Sequence, residues 1–243
     1  MSASDIPIIV TRAEPGASET LLRLEQLGYT VLRAPALALH EQLNTPLPTA
    51  SAISGLVFTS ANGVRAYATQ RDDRESTTWC VGPATAEAAR QAGFGTIHES
   101  VGNASDLAHF IAANSAPEDE PLLHVANAAA AGNLKRELEA LGFSVAFAPL
   151  YAMHPSSVLP NAVLDLIDKN TPAIVLIHSA KGAEAFANML GRQNMQVAAL
   201  VAISESASAP LAKLALDRTY VAAVPNEDGL LRALKRAVAT LSA

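Results

Sequence analysis

The chain has 243 residues, of which 50% are hydrophobic and 16% charged, and it carries a net charge of −6. Such a chain can bury two ordinary cores and is excluded from the disordered class. Its acidic balance speaks against a general nucleic-acid binder. The one cysteine, Cys80, excludes an intrachain disulfide. It lies in the apolar run Trp79-Cys80-Val81, where a packed thiol is expected. The start, Met1-Ser2-Ala3-Ser4-Asp5, shows no basic patch followed by an apolar stretch. The longest apolar run, near Val197–Ile203, is too short for a bilayer, so a soluble, cytoplasmic protein is expected.

In chain order, short runs rich in Val, Ile and Leu alternate with longer amphipathic stretches. Strands are expected over Ile6–Val10, Thr30–Arg33, Leu56–Phe58, Thr78–Val81, Thr96–Glu99, Leu122–Val125, Ser144–Phe147, Ile174–Ile177, Ala199–Ile203 and Tyr220–Ala223. Helices are expected over Ala17–Leu27, Ala61–Thr69, Ala84–Ala92, Ser105–Ala113, Ala130–Leu141, Val158–Asp168, Lys181–Leu190, Ser206–Ala215 and Asp228–Leu241. Leu21, Leu24 and Leu27 share one helix face, as do Leu134, Leu138 and Leu141. Gly28 and Gly142 follow these helices where a left-handed C-cap is expected. The alternation implies an α/β protein with parallel sheets covered on both faces.

The second half of the sequence repeats the first. Thr11-Arg12, Leu27-Gly28-Tyr29-Thr30-Val31 and Ala34-Pro35-Ala36-Leu37 are echoed by Ala126-Asn127, Leu141-Gly142-Phe143-Ser144-Val145 and Ala148-Pro149-Leu150-Tyr151. Phe58-Thr59-Ser60-Ala61-Asn62-Gly63 is echoed by Ile177-His178-Ser179-Ala180-Lys181-Gly182, and Val81-Gly82-Pro83-Ala84-Thr85 by Ile203-Ser204-Glu205-Ser206-Ala207. A period this long means a duplicated domain. A tandem division would fall in Ser115–Pro121. The proline-bearing segments Ala34–Pro48 and Pro149–Pro155, equivalent in the two repeats, offer a discontinuous one instead.

Ligands of open parallel sheets bind beyond the carboxyl ends of the strands. Here those ends carry Thr11-Arg12, Thr59-Ser60-Ala61-Asn62, Gly82-Pro83-Ala84-Thr85, Ala126-Asn127, His178-Ser179-Ala180-Lys181, Ser204-Glu205-Ser206 and Pro225-Asn226-Glu227. Ser, Thr and Asn at helix starts are ordinary N-caps. Together with free N–H groups they also hold carboxylates or phosphates. Glycine-rich dinucleotide, P-loop and nucleophile-elbow motifs are absent. His40, His98, His109, His124, His154 and His178 lack metal-ligand spacing and are expected at the surface or at strand ends. No nucleophile–base pair is visible, so an enzyme with this sequence would work by orientation and electrostatics.

These runs, in this order, resemble the uroporphyrinogen-III synthase family: Val10-Thr11-Arg12, Phe58-Thr59-Ser60-Ala61-Asn62-Gly63-Val64, Cys80-Val81-Gly82-Pro83-Ala84-Thr85-Ala86, Leu150-Tyr151 and Pro225-Asn226-Glu227-Asp228-Gly229-Leu230. The sequence departs from the family where His178 replaces a usual Thr and Ser204-Glu205-Ser206-Ala207 replaces a Gly-x-x-Thr pattern. The resemblance implies two flavodoxin-like domains with parallel sheets, joined by a two-stranded connector. Domain 1 would be residues 1–35 plus 156–243, and domain 2 residues 36–155, with connector segments at 36–48 and 149–155. It implies cyclisation of hydroxymethylbilane with inversion of ring D and loss of water, without cofactor or metal. It implies that this small molecule is held in a cleft between the domains by its carboxylates. A monomer is expected, since nothing in the sequence suggests an obligate interface, and the charge and apolar runs give no nucleic-acid or membrane partner.

Under the resemblance Tyr151 is the catalytic candidate, its phenol assisting departure of the hydroxyl. The substrate-binding candidates are Thr11, Arg12, Ser60, Ala61, Asn62, Thr85, Ser179, Ala180, Lys181, Ser204 and Ser206. Thr85 is expected to cap its helix and touch a carboxylate, and Arg12 either to pair with a carboxylate or to form a structural salt bridge. The competing reading is a non-catalytic two-domain cleft protein for a small anionic ligand. A flavodoxin-like signalling module fits less well, since Thr11-Arg12 stands where an acidic cluster would be needed.

Overall fold

Ile8, Ile9 and Val10 are all fully buried, although a strand sends successive side chains to opposite faces. Both faces of their sheet are therefore covered. The structure, a computed structural model, describes residues 6–130, 133–215 and 218–242. Met1–Asp5, where the start of the chain was read, and two residues of the helix expected over Ala130–Leu141 lie outside the described residues.

The strands in chain order are β1 (Ile8–Val10), β2 (Val31–Arg33), β3 (Leu37–Glu41), β4 (Gly55–Phe58), β5 (Thr78–Val81), β6 (Ile97–Ser100), β7 (Leu122–Asn127), β8 (Val145–Pro155), β9 (Ala173–Ile177), β10 (Val197–Ala202) and β11 (Thr219–Val221). The helices are α1 (Gly16–Gln26), α2 (Ala61–Gln70), α3 (Gly82–Gln91), α4 (Ala104–Asn114), α5 (Asn133–Ala140), α6 (Asn161–Asp168), α7 (Ala180–Leu190), α8 (Glu205–Ser208), α9 (Ala212–Ala215) and α10 (Glu227–Ser242). They fall into two units. The terminal unit joins the chain up to Leu39 to the chain from His154 onward, and the central unit is His40–Met153.

In the terminal unit the sheet order is β11-β10-β9-β1-β2, with every pairing parallel. Ile8, Val10, Ile174 and Leu176 pack against Ala17 and Leu24 of α1 and Leu230 and Leu234 of α10. The alternate residues Ile9, Val175 and Ile177 pack against Val163 of α6 and Phe186 and Leu190 of α7. Each such side chain contributes roughly 1.5–3 kcal/mol by leaving water. Strands buried on both faces read as unbroken apolar runs.

In the central unit the order is β3-β8-β7-β4-β5-β6, and the run from β8 to β6 is parallel. Val57, Leu122 and Val145 pack under Leu107 and Ile111 of α4 and Leu134 and Leu138 of α5. Phe58, next along β4, joins Tyr67 of α2 and Phe94 in an aromatic cluster with centroids 5.9–6.3 Å apart.

The repeat in the sequence reappears as one sheet order used twice, β2-β1-β9-β10-β11 and β8-β7-β4-β5-β6. Each unit takes strands from both halves of the chain. The chain passes between units within β3 and within β8, which are neighbours in the second sheet.

Gly28 and Gly142 take the expected left-handed φ, +82° and +93°. Each ends its helix with the same paired bonds: Tyr29 N–H to Leu24 O and Phe143 N–H to Leu138 O, 3.1 and 3.0 Å. Leu27 and Leu141, expected to share the apolar face, are instead 47% and 37% exposed, because each falls in the closing turn. The helix expected over Ser206–Ala215 is broken into α8, a tight turn Ala209–Leu211 and α9, since Pro210 has no N–H and obstructs the preceding turn. β8 runs eight residues past Phe147, and β3 lies where no strand was expected. Both owe their ladder to a neighbour rather than to local apolar pattern, and Pro149 is tolerated where the β7–β8 register shifts. No helix among the described residues is long and apolar enough to cross a membrane.

Candidate functional site

Succession along the sheet reverses between β4 and β7 in the central unit, and between β1 and β9 in the terminal unit. At such switch points the strand ends leave a crevice. In the central unit Ser60 leaves β4 with extended backbone (φ −161°, ψ 154°) and caps α2, its Oγ accepting the Gly63 N–H at 3.3 Å. A Cβ on Gly63 would lie 2.8 Å from the Val125 carbonyl oxygen, so only glycine lets α2 start this close to β7. The register shift after Ala126 sets Tyr151 opposite Asn127. This places the buried Tyr151 at the strand-end rim, its Oη 2.7 Å from Ser60 Oγ.

Beneath this pair, His124 of β7 lies edge-on to Phe147, with Nε2 3.5 Å from Thr59 Oγ1 and Nδ1 without a hydrogen-bond partner among the described residues. Burial pushes its pKa down to about 4, so the imidazole is neutral at pH 7. The sequence reading placed this histidine at the surface or a strand end. It lies instead in mid-strand, because both faces of β7 are covered.

The terminal unit repeats the cap. Ser179 (φ −163°, ψ 155°) starts α7 and accepts the Gly182 N–H at 3.0 Å. Its surroundings are ionic. Glu227, first residue of α10, accepts from Thr20 Oγ1 at 2.8 Å on one carboxylate oxygen, and on the other from Arg12 Nη1 at 3.3 Å and His178 Nε2 at 3.2 Å. Burial alone would raise the Glu227 carboxyl. The His178 hydrogen bond and charge, the Thr20 hydroxyl and the Arg12 guanidinium outweigh it and hold the group below its ordinary value. Arg12 lies over Gly16, where any Cβ would meet its guanidinium. Arg12, His178 and Glu227 line a cleft of about 380 Å³ together with Glu19, Arg23 and Asn226.

The other expected site residues take several positions. Thr11 is buried and donates to the Leu176 carbonyl at 2.7 Å, fastening β1 to β9. Ala61 and Asn62 open α2, and Ala180 and Lys181 open α7, where N–H groups precede the first intrahelical acceptor. Ser204 caps α8 and lies 3.0 Å from the Ser206 hydroxyl. Thr85 is not a cap. α3 starts at Gly82 with Val81 at its N-cap, which leaves Thr85 buried inside the helix. Thr85 follows β5 and the serine pair follows β10, each one strand beyond its switch point. Ser60 thus meets Tyr151. Glu227 gathers Arg12, His178 and Thr20, and neither Glu227, His178 nor Thr20 is among the site residues drawn from the sequence. The run Pro225-Asn226-Glu227 at a strand end was the signal for Glu227, and nothing local marked Thr20.

Fold and rims together define a class: two α/β units whose parallel strand ends present hydroxyls, helix-start N–H groups and one ion-paired hub. Residues 18–232 match the family described as Uroporphyrinogen-III synthase HemD. The chain superposes on the crystal structure of uroporphyrinogen-III synthetase from Helicobacter pylori 26695 with TM-score 0.64 and 15% identity, over 95% of this chain and 99% of that one. On a mutant uroporphyrinogen III synthase from the extremely thermophilic bacterium Thermus thermophilus the TM-score is 0.52 at 16% identity, over 97% and 99%. No curated protein sequence matches. The chain belongs to the uroporphyrinogen-III synthase family, and its activity is that of the family, a lyase-type cyclisation in tetrapyrrole biosynthesis.

Proposed function

We propose that Tyr151 is the general acid of this cyclisation and that the strand-end rims of both units hold the carboxylates of hydroxymethylbilane. The observation that carries the reading is the 2.7 Å contact between Tyr151 Oη and Ser60 Oγ. Ser60 Oγ already accepts the Gly63 N–H, so its own proton is free to go to the phenol oxygen. In that arrangement the Tyr151 O–H points outward as a donor. As the substrate C–O bond breaks, the phenol proton leaves with the hydroxyl as water. The Ser60 hydroxyl stabilises the phenolate, and the proton released on ring closure restores the phenol. Arg12 and the helix-start N–H groups of Ala61, Asn62, Ala180 and Lys181 take carboxylates, which lets an acidic protein bind a polyanion through local donors.

In this reading the functional domains are residues 1–35 plus 156–243 and residues 36–155, the connector segments are 36–48 and 149–155, and the enzyme works as a cytoplasmic monomer. The test is direct. Enzymatically generated hydroxymethylbilane is incubated with the protein, oxidised, and the isomers separated. Type III product formed by the parent and lost in Tyr151→Phe supports the assignment, and equal rates refute the acid role.

A further inference from the structure

The carboxylate of Glu227 is gripped by a hydroxyl, an imidazole and a guanidinium, the donors a substrate carboxylate would itself require. They come from α1, from the end of β9 and from the end of β1, and converge on one side chain at the wall of a 380 Å³ cleft. We infer that Glu227 is a specificity-determining residue: a built-in competitor that holds the place on Arg12 which a substrate carboxylate must take. The inference rests on the reading above in which Arg12 binds such a carboxylate.

The electrostatics of the cleft support it. Its cations, Arg12 and Arg23, are matched by Glu227 and by Asp228, which pairs with Arg23, and Glu19 adds a further negative charge. A polyanion therefore gains little from the cleft until the Glu227 carboxylate gives way. The side chains of Arg12 and Glu227 are 37% and 21% exposed, so a solute reaches the pair and the glutamate can swing outward without moving α10. A carboxyl is charged at neutral pH, and this one is held below its ordinary value by the groups that grip it, despite its burial. His178 supplies one of the three grips.

A competitor and a structural clamp predict opposite signs. If Glu227 competes, Glu227→Gln lowers KM for hydroxymethylbilane about fivefold, and Arg12→Ala with Glu227→Gln returns KM to the Arg12→Ala value. If Glu227 only clamps Arg12, Glu227→Gln raises KM. Steady-state rates of type III formation with enzymatically generated hydroxymethylbilane read this out, and thermal melting checks the fold. A raised or unchanged KM in a folded Glu227→Gln protein overturns the inference. Loss of a cooperative melt also overturns it unless Glu227→Asp folds, in which case a lower KM for that shortened side chain supports it and any other value refutes it. Arg12→Ala separates the two levels. Unchanged KM there removes the underlying reading, whereas raised KM there without a fall in Glu227→Gln removes only this inference.

Discussion

Ser60 and Ser179 cap their helices with backbone angles that agree within about 2° and accept from glycines at the same spacing. Yet the hydroxyl of Ser60 meets a phenol, while Ser179 follows a histidine paired with Glu227. At the central rim a serine hydroxyl meets a phenol, with a neutral imidazole buried in mid-strand on β7. The terminal rim is ionic. Duplication therefore kept the backbone devices and let the flanking side chains diverge: Thr59 against His178, and Tyr151 against Leu37 in the sequence repeat. In the function proposed above, one rim moves a proton and the other holds charge.

The largest effect expected from this contrast is in acid. His124 has a folded pKa of about 4 against an ordinary 6.5, so the unfolded chain takes up the proton first. Its contribution is fully present above pH 6.5 and is lost as pH falls toward 4, at a cost of about 3 kcal/mol to the central unit. The lowered Glu227 carboxyl works on a more acidic window, its contribution being lost only below the ordinary carboxylate value. Trp79 is the one tryptophan and lies in the central unit, so urea melts followed by its fluorescence at about pH 7 and about pH 4.5 isolate the effect. A flat profile, or the same slope in His124→Gln, breaks the comparison.

Next is Tyr151→Phe, for which turnover falls about 100-fold, equivalent to about 2.7 kcal/mol, with little change in melting temperature. Gly63→Ala follows. Its Cβ meets backbone, so about 2 kcal/mol of stability is lost. In Gly182→Ala the Cβ meets only Ser179 Oγ at 3.0 Å, a side chain that can rotate, and denaturant midpoints should show a much smaller change. Equal losses would mean the two helix starts are not differently packed. Arg12→Ala should raise KM about tenfold, or about 1.4 kcal/mol, and a change in kcat instead would move Arg12 out of the binding role. The smallest effect separates the caps themselves. Ser60→Ala and Ser179→Ala each cost about 1 kcal/mol of stability, and only the first slows turnover.

Much of the fold was legible in the sequence because its causes are local. Runs such as Ile174–Ile177 are apolar at every position, as two-sided burial requires, and Gly28 and Gly142 mark helix ends by a φ that other residues avoid. What failed depended on neighbours. β3 and the far end of β8 have no apolar signature, since pairing rather than burial makes them strands. Thr85 looked like a cap because a hydroxyl near a helix start usually is one, but α3 begins earlier, at Gly82. Ser60 and Tyr151 were singled out separately. Their contact spans 91 residues of sequence and depends on a register shift no pattern announces.

The sequence by itself determined the alternation of strands and helices, the internal duplication and the family, because each is written in residue order and periodicity. Only the tertiary structure decided that a phenol meets a serine at one rim, and that Glu227 gathers Arg12, Thr20 and His178 at the other. Those arrangements join residues many turns of chain apart, and the free energy that fixes them comes from sheet pairing and burial, which local sequence does not encode.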